Sequence, residues 1–436
     1  MVYLKKTAIM LAVLSLILSV AALIILFARG YYFDVKDRQL GSKGILVANS
    51  APNNAQIYVN DKFMSLTSDN LYLSPGVYQI SIRKEGYSNW NKQFTIKGEV
   101  VSRVDAQLFS SNPSLTPLTN SGIINPYLSP LKDKVSYIIL PDETQPSLEE
   151  NGGLMIGNLK TNTLSFFKQH NLVLPFSSFP LDTSPEQTQV IFSHNQKNML
   201  VFFYDQFENL LAVYLLSPNT NGGDFLDVTV SYPQLLEKWW LEKLSWQEKL
   251  YDTAKPKVRK ILNQHTYLVE MSPDKSKFLY LALSDATLPR VINPPLIGSV
   301  PTSEVRKLTA ANFYVYDKKE DKNFLIKAFT VENRQAMAGF INQLLEPEAF
   351  LTLENWLELG ELFNQLTWYS DSRHLVYSHD ATISVMEYDG ANRILVYSGP
   401  FNEEFLSSSS DGRLVVLTNI NPKKNELEDL YSVSIK

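Results

Sequence analysis

The sequence predicts a mainly β protein: an N-terminal transmembrane helix, a small β-domain, and then a β-propeller of five to seven blades with helical insertions. Three observations lead to this prediction. Residues 8–28 are an apolar run, residues 43–109 alternate apolar and polar side chains between turns, and residues 112–436 repeat a turn followed by an apolar strand. The 436 residues suffice for more than one domain, at roughly 100–200 residues per domain.

The composition narrows the classes of protein to which the chain can belong. Hydrophobic residues make up 44% and charged residues 19%, a balance typical of folded domains rather than disordered chains. The formal net charge is −5, from 40 basic and 45 acidic residues, which gives no indication of nucleic-acid binding. Cysteine is absent, so disulfides, thiolate metal sites and cysteine nucleophiles are excluded.

The first element is the apolar run from Ala8 to Ala28, in which Ser15 and Ser19 are the only polar residues. As a helix these residues would span roughly 30 Å, the thickness of the hydrocarbon core of a bilayer. The run exceeds the length of a typical signal-peptide core, so we expect an uncleaved signal anchor over residues 1–35. A cleaved signal peptide is the alternative.

The orientation of this anchor is indicated only weakly by charge. Basic residues lie on both sides of the run: Lys5 and Lys6 before it, and Arg29, Lys36, Arg38 and Lys43 after it. A bare count slightly favours a cytoplasmic C-terminal side, but large domains translocate largely regardless of charge. We expect a single-pass protein of the cell membrane with its C-terminal domains outside the cytoplasm.

Residues 43–109 have the pattern of a compact β-domain. Ala55, Ile57 and Val59 alternate with polar residues, and Asn60-Asp61 and Pro75-Gly76 supply turns. The landmarks Pro52-Asn53-Asn54-Ala55, Leu73 to Tyr78, Lys84-Glu85-Gly86-Tyr87 and Trp90 resemble the PEGA domain of bacterial envelope and surface-layer-associated proteins. The middle two residues of the family's naming motif are replaced by Asn53 and Asn54. The resemblance implies a small β-sandwich with no known chemistry.

Two aromatic residues of this domain invite a functional interpretation. Tyr87 and Trp90 would form either a ligand platform or an aromatic corner that closes the sandwich. We favour the corner.

A short unit recurs from residue 112 to residue 436. Each copy is a turn followed by apolar β-formers, with its marker position at Leu131, Glu186, Asp274, Asp371 and Asp411. The last spacing, 40 residues, equals about one propeller blade. Ser272-Pro273-Asp274 and Asp411-Gly412-Arg413 resemble the turns of WD-like propellers of the TolB type.

The two ends of this region have their own predictions. We expect Tyr431–Ile435 to pair with an early strand and close the ring. Residues 110–119 are rich in Ser, Pro, Thr and Asn, and we expect them to form a linker.

Helical insertions are predicted at about residues 232–262 and 330–366, and an exposed proline-rich loop at residues 287–309. In the first insertion Leu236, Trp240 and Leu244 are spaced by four and would dock on the propeller. Trp239 and Trp246 lie seven apart on another face. They either pack internally, which we favour, or form an exposed contact for a partner or the membrane surface.

The sequence contains no recognisable catalytic constellation. The five histidines, His170, His194, His265, His374 and His379, show no metal-ligand spacing, and no nucleophile elbow or phosphate-binding loop occurs. We therefore predict no catalytic residues, cofactor or metal site. The expected function is binding or scaffolding of an envelope glycan or protein through the propeller. The alternative is an extracytoplasmic propeller hydrolase acting on glycan or peptide.

Overall fold

The computed structural model describes residues 2–28, 31–34, 39–141, 152–159, 171–220, 224–326, 341, 353–420, 422 and 426–436. The chain divides into two compact units. Unit 1 comprises Met1–Phe109 and Pro294–Thr302, and unit 2 comprises Ser110–Asn293 and Ser303–Lys436.

The apolar run forms helix α1, Val2–Ala28, which begins before Lys5 and Lys6. A bilayer span needs about 20 predominantly apolar residues to cross a hydrocarbon core of about 30 Å. None of the helices described by the structure combines the length and the hydrophobicity that such a span requires. The predicted helix is therefore present, and the prediction that it is a transmembrane anchor is not supported.

Unit 1 is built from a β-ribbon and two sheets. Strands β1 (Tyr31–Asp34) and β2 (Gln39–Ser42) form the ribbon. The remaining strands are β3 (Gly44–Ala51), β4 (Gln56–Val59), β5 (Lys62–Leu66), β6 (Asp69–Leu73), β7 (Gly76–Arg83), β8 (Trp90–Ile96) and β9 (Val101–Gln107). One sheet has the order β6-β3-β9, with β3 and β9 parallel, and the other the order β5-β4-β7-β8. Asn60 and Asp61 both take positive φ, as a tight hairpin between β4 and β5 requires.

The two sheets enclose one hydrophobic core. Alternate residues of the strands face it, among them Leu46, Ile57 and Ile80, as the period of two predicted. Trp90 is buried in this core and Tyr87 packs against it. The two aromatic residues thus form a corner of the sandwich rather than a free platform.

The described residues of unit 2 form five four-stranded antiparallel sheets, the repeating unit of a β-propeller. Strand β10 (Ser114–Pro117) precedes them. Blade 1 has β11 (Ile124–Leu128), β12 (Lys134–Ile139), β13 (Gly153–Asn158) and β14 (Asn171–Pro175). Blade 2 has β15 (Gln189–Phe192), β16 (Met199–Tyr204), β17 (Leu210–Leu216) and β18 (Phe225–Asp227).

Blade 3 has β19 (Thr266–Met271) and β20 (Lys277–Ala282), then a two-stranded excursion, β21 (Ala286–Thr287) and β22 (Lys307–Leu308), and finally β23 (Phe313–Asp317) and β24 (Lys322–Ile326). Blade 4 has β25 (Leu366–Trp368), β26 (His374–His379), β27 (Thr382–Glu387) and β28 (Ile394–Ser398). Blade 5 has β29 (Leu406–Ser408), β30 (Arg413–Thr418), β31 (Asp429–Ser434) and, from the start of the unit, β10.

Blade 5 is completed by residues from both ends of unit 2. Ser114 pairs with Ser434, and Pro117 pairs with Tyr431. The prediction that the strand at 431–435 pairs with an early strand is therefore confirmed. Residues 114–117, predicted as linker, are instead the outer strand of this blade. A four-residue edge strand tolerates the proline and polar residues that suggested a linker.

The first two strands of each blade are joined by the same kind of turn. One residue in each turn takes positive φ: Lys132, Gln196, Lys275, Ser372 and Gly412. In blades 1, 2, 3 and 5 a serine hydroxyl donates to the turn's Asp or Asn, as from Ser272 Oγ to Asp274 Oδ1 (2.7 Å), whereas in blade 4 Asp371 Oδ2 pairs with His374 Nδ1 (2.7 Å). In blade 2 the predicted turn around Glu186 is present and an apolar strand, β15, follows it, but this turn comes before the first strand of the blade. The turn equivalent to those of the other blades is residues 193–198, where Ser193 Oγ donates to Asn195 Oδ1 (2.9 Å).

The first insertion is helical, with α2 (Tyr232–Tyr251) and α3 (Pro256–His265), each with a proline in its first turn. Helix α4 (Leu353–Asn364) lies in the second insertion, directly before blade 4. The helix predicted at residues 330–345 falls outside the described residues, apart from Ile341. The loop predicted at 287–309 contains β21 and β22 at its ends.

Candidate binding sites

A buried lysine joins three blades of unit 2. Lys132 lies in the turn between β11 and β12, with 7% of its surface exposed. Its Nζ donates hydrogen bonds to the carbonyl oxygens of Phe363 (2.6 Å) and Leu366 (2.8 Å), at the start of blade 4. Its own carbonyl oxygen accepts from Ser407 Oγ (2.7 Å) of blade 5. We call this arrangement the lysine bridge.

The positive charge of Lys132 is affected both by burial and by a nearby carboxylate. Burial lowers the pKa of Lys132 to about 8, and the nearby Glu270 carboxylate acts in the opposite direction. Glu270 Oε2 accepts from Thr367 Oγ1 (3.1 Å) and from the Trp368 backbone N–H (3.2 Å), so it ties blade 3 to blade 4. Lys132 and Glu270 each form hydrogen bonds with residues at the start of blade 4, which is the pattern of a structural tie between blades.

A second lysine lies among aromatic rings. Lys243 Nζ is 5.0 Å from the ring centre of Tyr267, 5.6 Å from that of Trp240 and 5.9 Å from that of Trp356. We call these three rings the aromatic cage. Burial lowers the pKa of the Lys243 ammonium group to about 8. No hydrogen bond or ion pair holds this ammonium within the described part of the chain.

Three elements of unit 2 build the aromatic cage. Trp240 and Lys243 are three residues apart on α2 and therefore share a face, while Tyr267 belongs to β19 and Trp356 to α4. The Trp240 ring stacks on Tyr267 (6.2 Å, 10° between planes) and meets Trp356 edge-on (6.0 Å, 83°). Packing thus fixes the rings before any ligand arrives.

A polar atom of the cage lacks a partner. Tyr267 is 4% exposed, and its hydroxyl has no hydrogen-bond partner among the residues that the structure describes. An unpaired buried hydroxyl costs about 1–3 kcal/mol. Native proteins keep few such groups, so this one calls for an explanation.

The structure places the two tryptophans of the predicted contact differently. Trp239 is 4% exposed and packs with Leu200 and Phe202 of blade 2. Trp246 is half-buried against the core of blade 3. Helix α2 thus buries one side on blade 2, through Trp239, and another, through Trp240, on blades 3 and 4.

The described histidines do not gather into a site. His374 is buried, and its Nδ1 lies 2.7 Å from Asp371 Oδ2. His265 Nδ1 lies 2.8 Å from Ser284 Oγ. His194 Nδ1 is buried without a hydrogen-bond partner, and burial lowers its pKa. Within the described ranges no three His, Asp or Glu side chains form a metal-binding group, and His170 falls outside those ranges.

Unit 1 carries an apolar edge. Strand β5 is terminal in its sheet, so none of the strands that the structure describes pairs with its outer edge. Phe63, Met64 and Leu66 on this strand are 51%, 42% and 48% exposed. Exposed edge strands are commonly protected by charge or proline, because they offer free backbone groups to other chains. This strand, which we call the apolar edge, is therefore a candidate contact surface.

Sequence reasoning missed most of these residues. Lys132, Lys243 and Trp356 are far apart in the chain, and single lysines are normally solvated. A usable signal was the spacing of Trp240 and Lys243 on one helix, which places a cation beside a ring.

Comparison with known proteins identifies unit 1 more specifically. Residues 43–112 match the family model described as PEGA domain. This match confirms the resemblance seen in the residues of the small β-domain. No curated protein matches the chain.

Solved structures similar to the chain include a protein assigned as TolB from Agrobacterium tumefaciens (11% identity, 71% of this chain, 78% of that chain, TM-score 0.20). Another is the Dos1 propeller (14%, 74% and 94%, TM-score 0.26). A third is the β-propeller domain of the Trilobed protease from Pyrococcus furiosus (8%, 90% and 97%, TM-score 0.18). The propeller architecture is identified from the sheet order of unit 2, independently of these similarities.

Proposed function

We propose that this protein is a binding or scaffolding protein of the bacterial cell envelope, with its domains outside the cytoplasm. The PEGA match supports the envelope, because the resemblance in unit 1 is to envelope proteins. The observation that carries the binding role is the apolar edge. A strand with free backbone groups and three exposed apolar side chains suits the addition of an extended segment from a partner protein.

Capture of envelope proteins by the full chain tests this role. The variant Phe63→Ser/Met64→Ser/Leu66→Ser removes the apolar side chains and keeps the strand. We expect it to lose cross-linked partners that the unchanged chain captures. A matched control is Val77→Ser/Val101→Ser, because these residues are equally exposed on other strands. Equal capture by both variants would refute the apolar edge as the contact surface.

We further propose that the propeller is the domain that recognises an envelope glycan or protein. Its support is the group of aromatic side chains that α2 and α4 bring to blade 3, because aromatic faces are common in binding sites. Binding of the full chain to envelope glycan fragments and proteins can be compared with that of Trp356→Ala. Lys238→Ala, on the exposed face of α2, is the control. If Trp356→Ala binds these fragments and proteins as well as the unchanged chain does, the propeller does not recognise them through this aromatic group.

The location of the domains has its own test. Protease added to intact spheroplasts is expected to digest the chain beyond about residue 35. Protection of this part until the cells are lysed would place it in the cytoplasm.

The alternative, a propeller hydrolase acting on glycan or peptide, has no specific support in the described part of the chain. Glycoside hydrolysis would need two carboxylates about 5–10 Å apart across a substrate cleft. Cleavage of glycan or peptide substrates by the purified full chain would establish this function in place of binding alone.

A further inference from the structure

The aromatic cage has the composition of a binding site for an organic cation. Three rings surround the ammonium of Lys243 at 5.0 to 5.9 Å from their centres. Cations within about 6 Å of aromatic ring centres are attracted by the negative ring faces, and proteins recognise quaternary ammonium groups in this way. The electrostatics of the cage therefore suit positive charge.

The present occupant fits this cage poorly. A primary ammonium has three N–H donors and is strongly hydrated. In the cage, no acceptor or carboxylate pairs with Lys243 Nζ among the described residues. Burial lowers the pKa of Lys243 to about 8, because the rings replace part of the water around its ammonium group. A quaternary ammonium has no N–H donors and would lose less on leaving water.

The free hydroxyl of the cage supports a ligand that also carries an acceptor. Tyr267 is buried and its hydroxyl has no partner within the described ranges, although its ring forms one wall of the cage. A ligand with an oxygen next to its ammonium head would accept this hydrogen bond. The cage would then satisfy both a charge and a donor.

Lys243 can leave the cage without a change in the backbone. Its side chain is half-buried and long, and it belongs to a helix whose neighbouring residues, Lys238 and Leu241, are exposed. Rotation about its side-chain bonds would return the ammonium to water, where it is well solvated. The helix itself is held by Leu236 and Trp239 and would stay in place.

We propose that the aromatic cage is a binding site for a quaternary ammonium group, and that Lys243 occupies it in the free protein as a built-in competitor. The ligand exchanges with the lysine side chain. This inference goes beyond the proposed scaffolding role, which rests on unit 1.

Titration of the full chain with tetramethylammonium, followed by calorimetry and tryptophan fluorescence, tests the proposal. Lys243→Ala empties the cage and is expected to bind the probe about tenfold more tightly than the unchanged chain. Lys238→Ala, on the exposed face of the same helix, should bind like the unchanged chain. In the Lys243→Ala background, Trp356→Leu should weaken binding about tenfold, since it removes one ring while its half-buried position spares the core.

The sources of such a group are distinguished by further probes. Choline represents a free metabolite, vesicles of phosphatidylcholine represent a lipid head, and a trimethyl-lysine peptide represents a modified protein. Tyr267→Phe keeps the ring and removes the hydroxyl, so it should weaken choline more than tetramethylammonium. The proposal is overturned if Lys243→Ala, shown by circular dichroism to be folded, binds tetramethylammonium no more tightly than the unchanged chain. It is equally overturned if Trp356→Leu leaves the binding unchanged.

Discussion

Lys132 and Lys243 are two lysines of the same unit whose pKa burial lowers to about 8, yet their surroundings differ in kind. The Nζ of Lys132 donates to two backbone carbonyl oxygens of the segment that starts blade 4. The Nζ of Lys243 faces rings alone among the described residues. The first lysine donates hydrogen bonds to buried carbonyl oxygens, whereas the second donates to no acceptor among the residues that the structure describes.

The difference shows that a lowered pKa does not by itself identify a functional lysine. Desolvation is the main cause at both positions. What distinguishes them is the consequence of removal. Loss of the Lys132 ammonium leaves buried carbonyl oxygens without donors, while loss of the Lys243 ammonium leaves apolar ring faces.

The largest effect is expected from the packing that holds the helix carrying Lys243. Trp239→Ala should lower the free energy of unfolding by about 3–5 kcal/mol, because it opens a cavity between α2 and blade 2. Chemical denaturation measures the loss. Trp246→Ala is the comparison, and its half-buried side chain should cost less. If Trp246→Ala lowered the free energy of unfolding more than Trp239→Ala does, the packing of α2 on blade 2 would not be the main contact that holds the helix in place.

Removal of the lysine bridge comes next in size. Lys132→Met keeps the length of the side chain and leaves two carbonyl oxygens without donors, so we expect a loss of about 3 kcal/mol. Lys197→Met is the matched control, because Lys197 lies exposed in the equivalent turn of blade 2. If Lys132→Met lowered the free energy of unfolding no more than Lys197→Met does, the structural role proposed for Lys132 would be refuted.

The pH dependence of stability is a smaller effect with a definite sign. The pKa of Lys132 is about 8 when folded and 10.5 in its unperturbed state. Between pH 8 and 10 the folded state binds fewer protons, so its stability should rise with pH, by about 1–2 kcal/mol. The neutral amine still donates to both carbonyl oxygens.

Above pH 10 the trend should reverse, because burial raises the pKa of Tyr137 and Tyr251, so the folded state then binds more protons than the unfolded state. Because the pKa of Lys243 is also lowered to about 8, unfolding is measured at each pH for the unchanged chain, Lys132→Met and Lys243→Met, which separates the two lysines from each other and from the tyrosines. A rise between pH 8 and 10 of the same size in the unchanged chain and in Lys132→Met would contradict the assignment to Lys132.

The smallest effect is expected at the cage itself. Lys243→Met removes cation–π contacts and also the cost of a poorly solvated ammonium, and these terms oppose each other. The free energy of unfolding should therefore change by less than about 1 kcal/mol, with Lys238→Met as the control. If Lys243→Met lowered the free energy of unfolding as much as Lys132→Met does, Lys243 would be a structural lysine like Lys132.

Local patterns predicted much of the fold. The alternation at Ala55, Ile57 and Val59 and the turn at Asn60-Asp61 were sufficient for the strands and hairpin of a β-domain, since both depend on neighbouring residues, whereas the sandwich was implied by the PEGA resemblance. The marker in blade 2 fell on the turn before the blade because Ser184-Pro185-Glu186 and Ser193-His194-Asn195 are equally good turns. Only strand pairing, which involves residues distant in the chain, distinguishes them.

The candidate sites were harder to predict for a related reason. The helical spacing of α2 assigned Trp240 to a docking stripe and Trp239 to another face, and it left open which part of the propeller that second face would meet. The helix packs on blade 2 through Trp239 and on blade 3 through Trp240, so two adjacent residues are both buried. The cage and the lysine bridge depend on such tertiary neighbours, which local spacing does not record.

The shared fifth blade has a consequence for the timing of synthesis. Strand β10 leaves the ribosome before blade 1, but its partner β31 follows about 300 residues later. Thr119 Oγ1 and Asp429 Oδ1, 310 residues apart, hydrogen-bond at this junction (2.7 Å). At roughly 5–20 residues per second, β10 waits on the order of 15–60 s for its partner. Its four residues and Pro117 make it a weak template for wrong pairing during that interval.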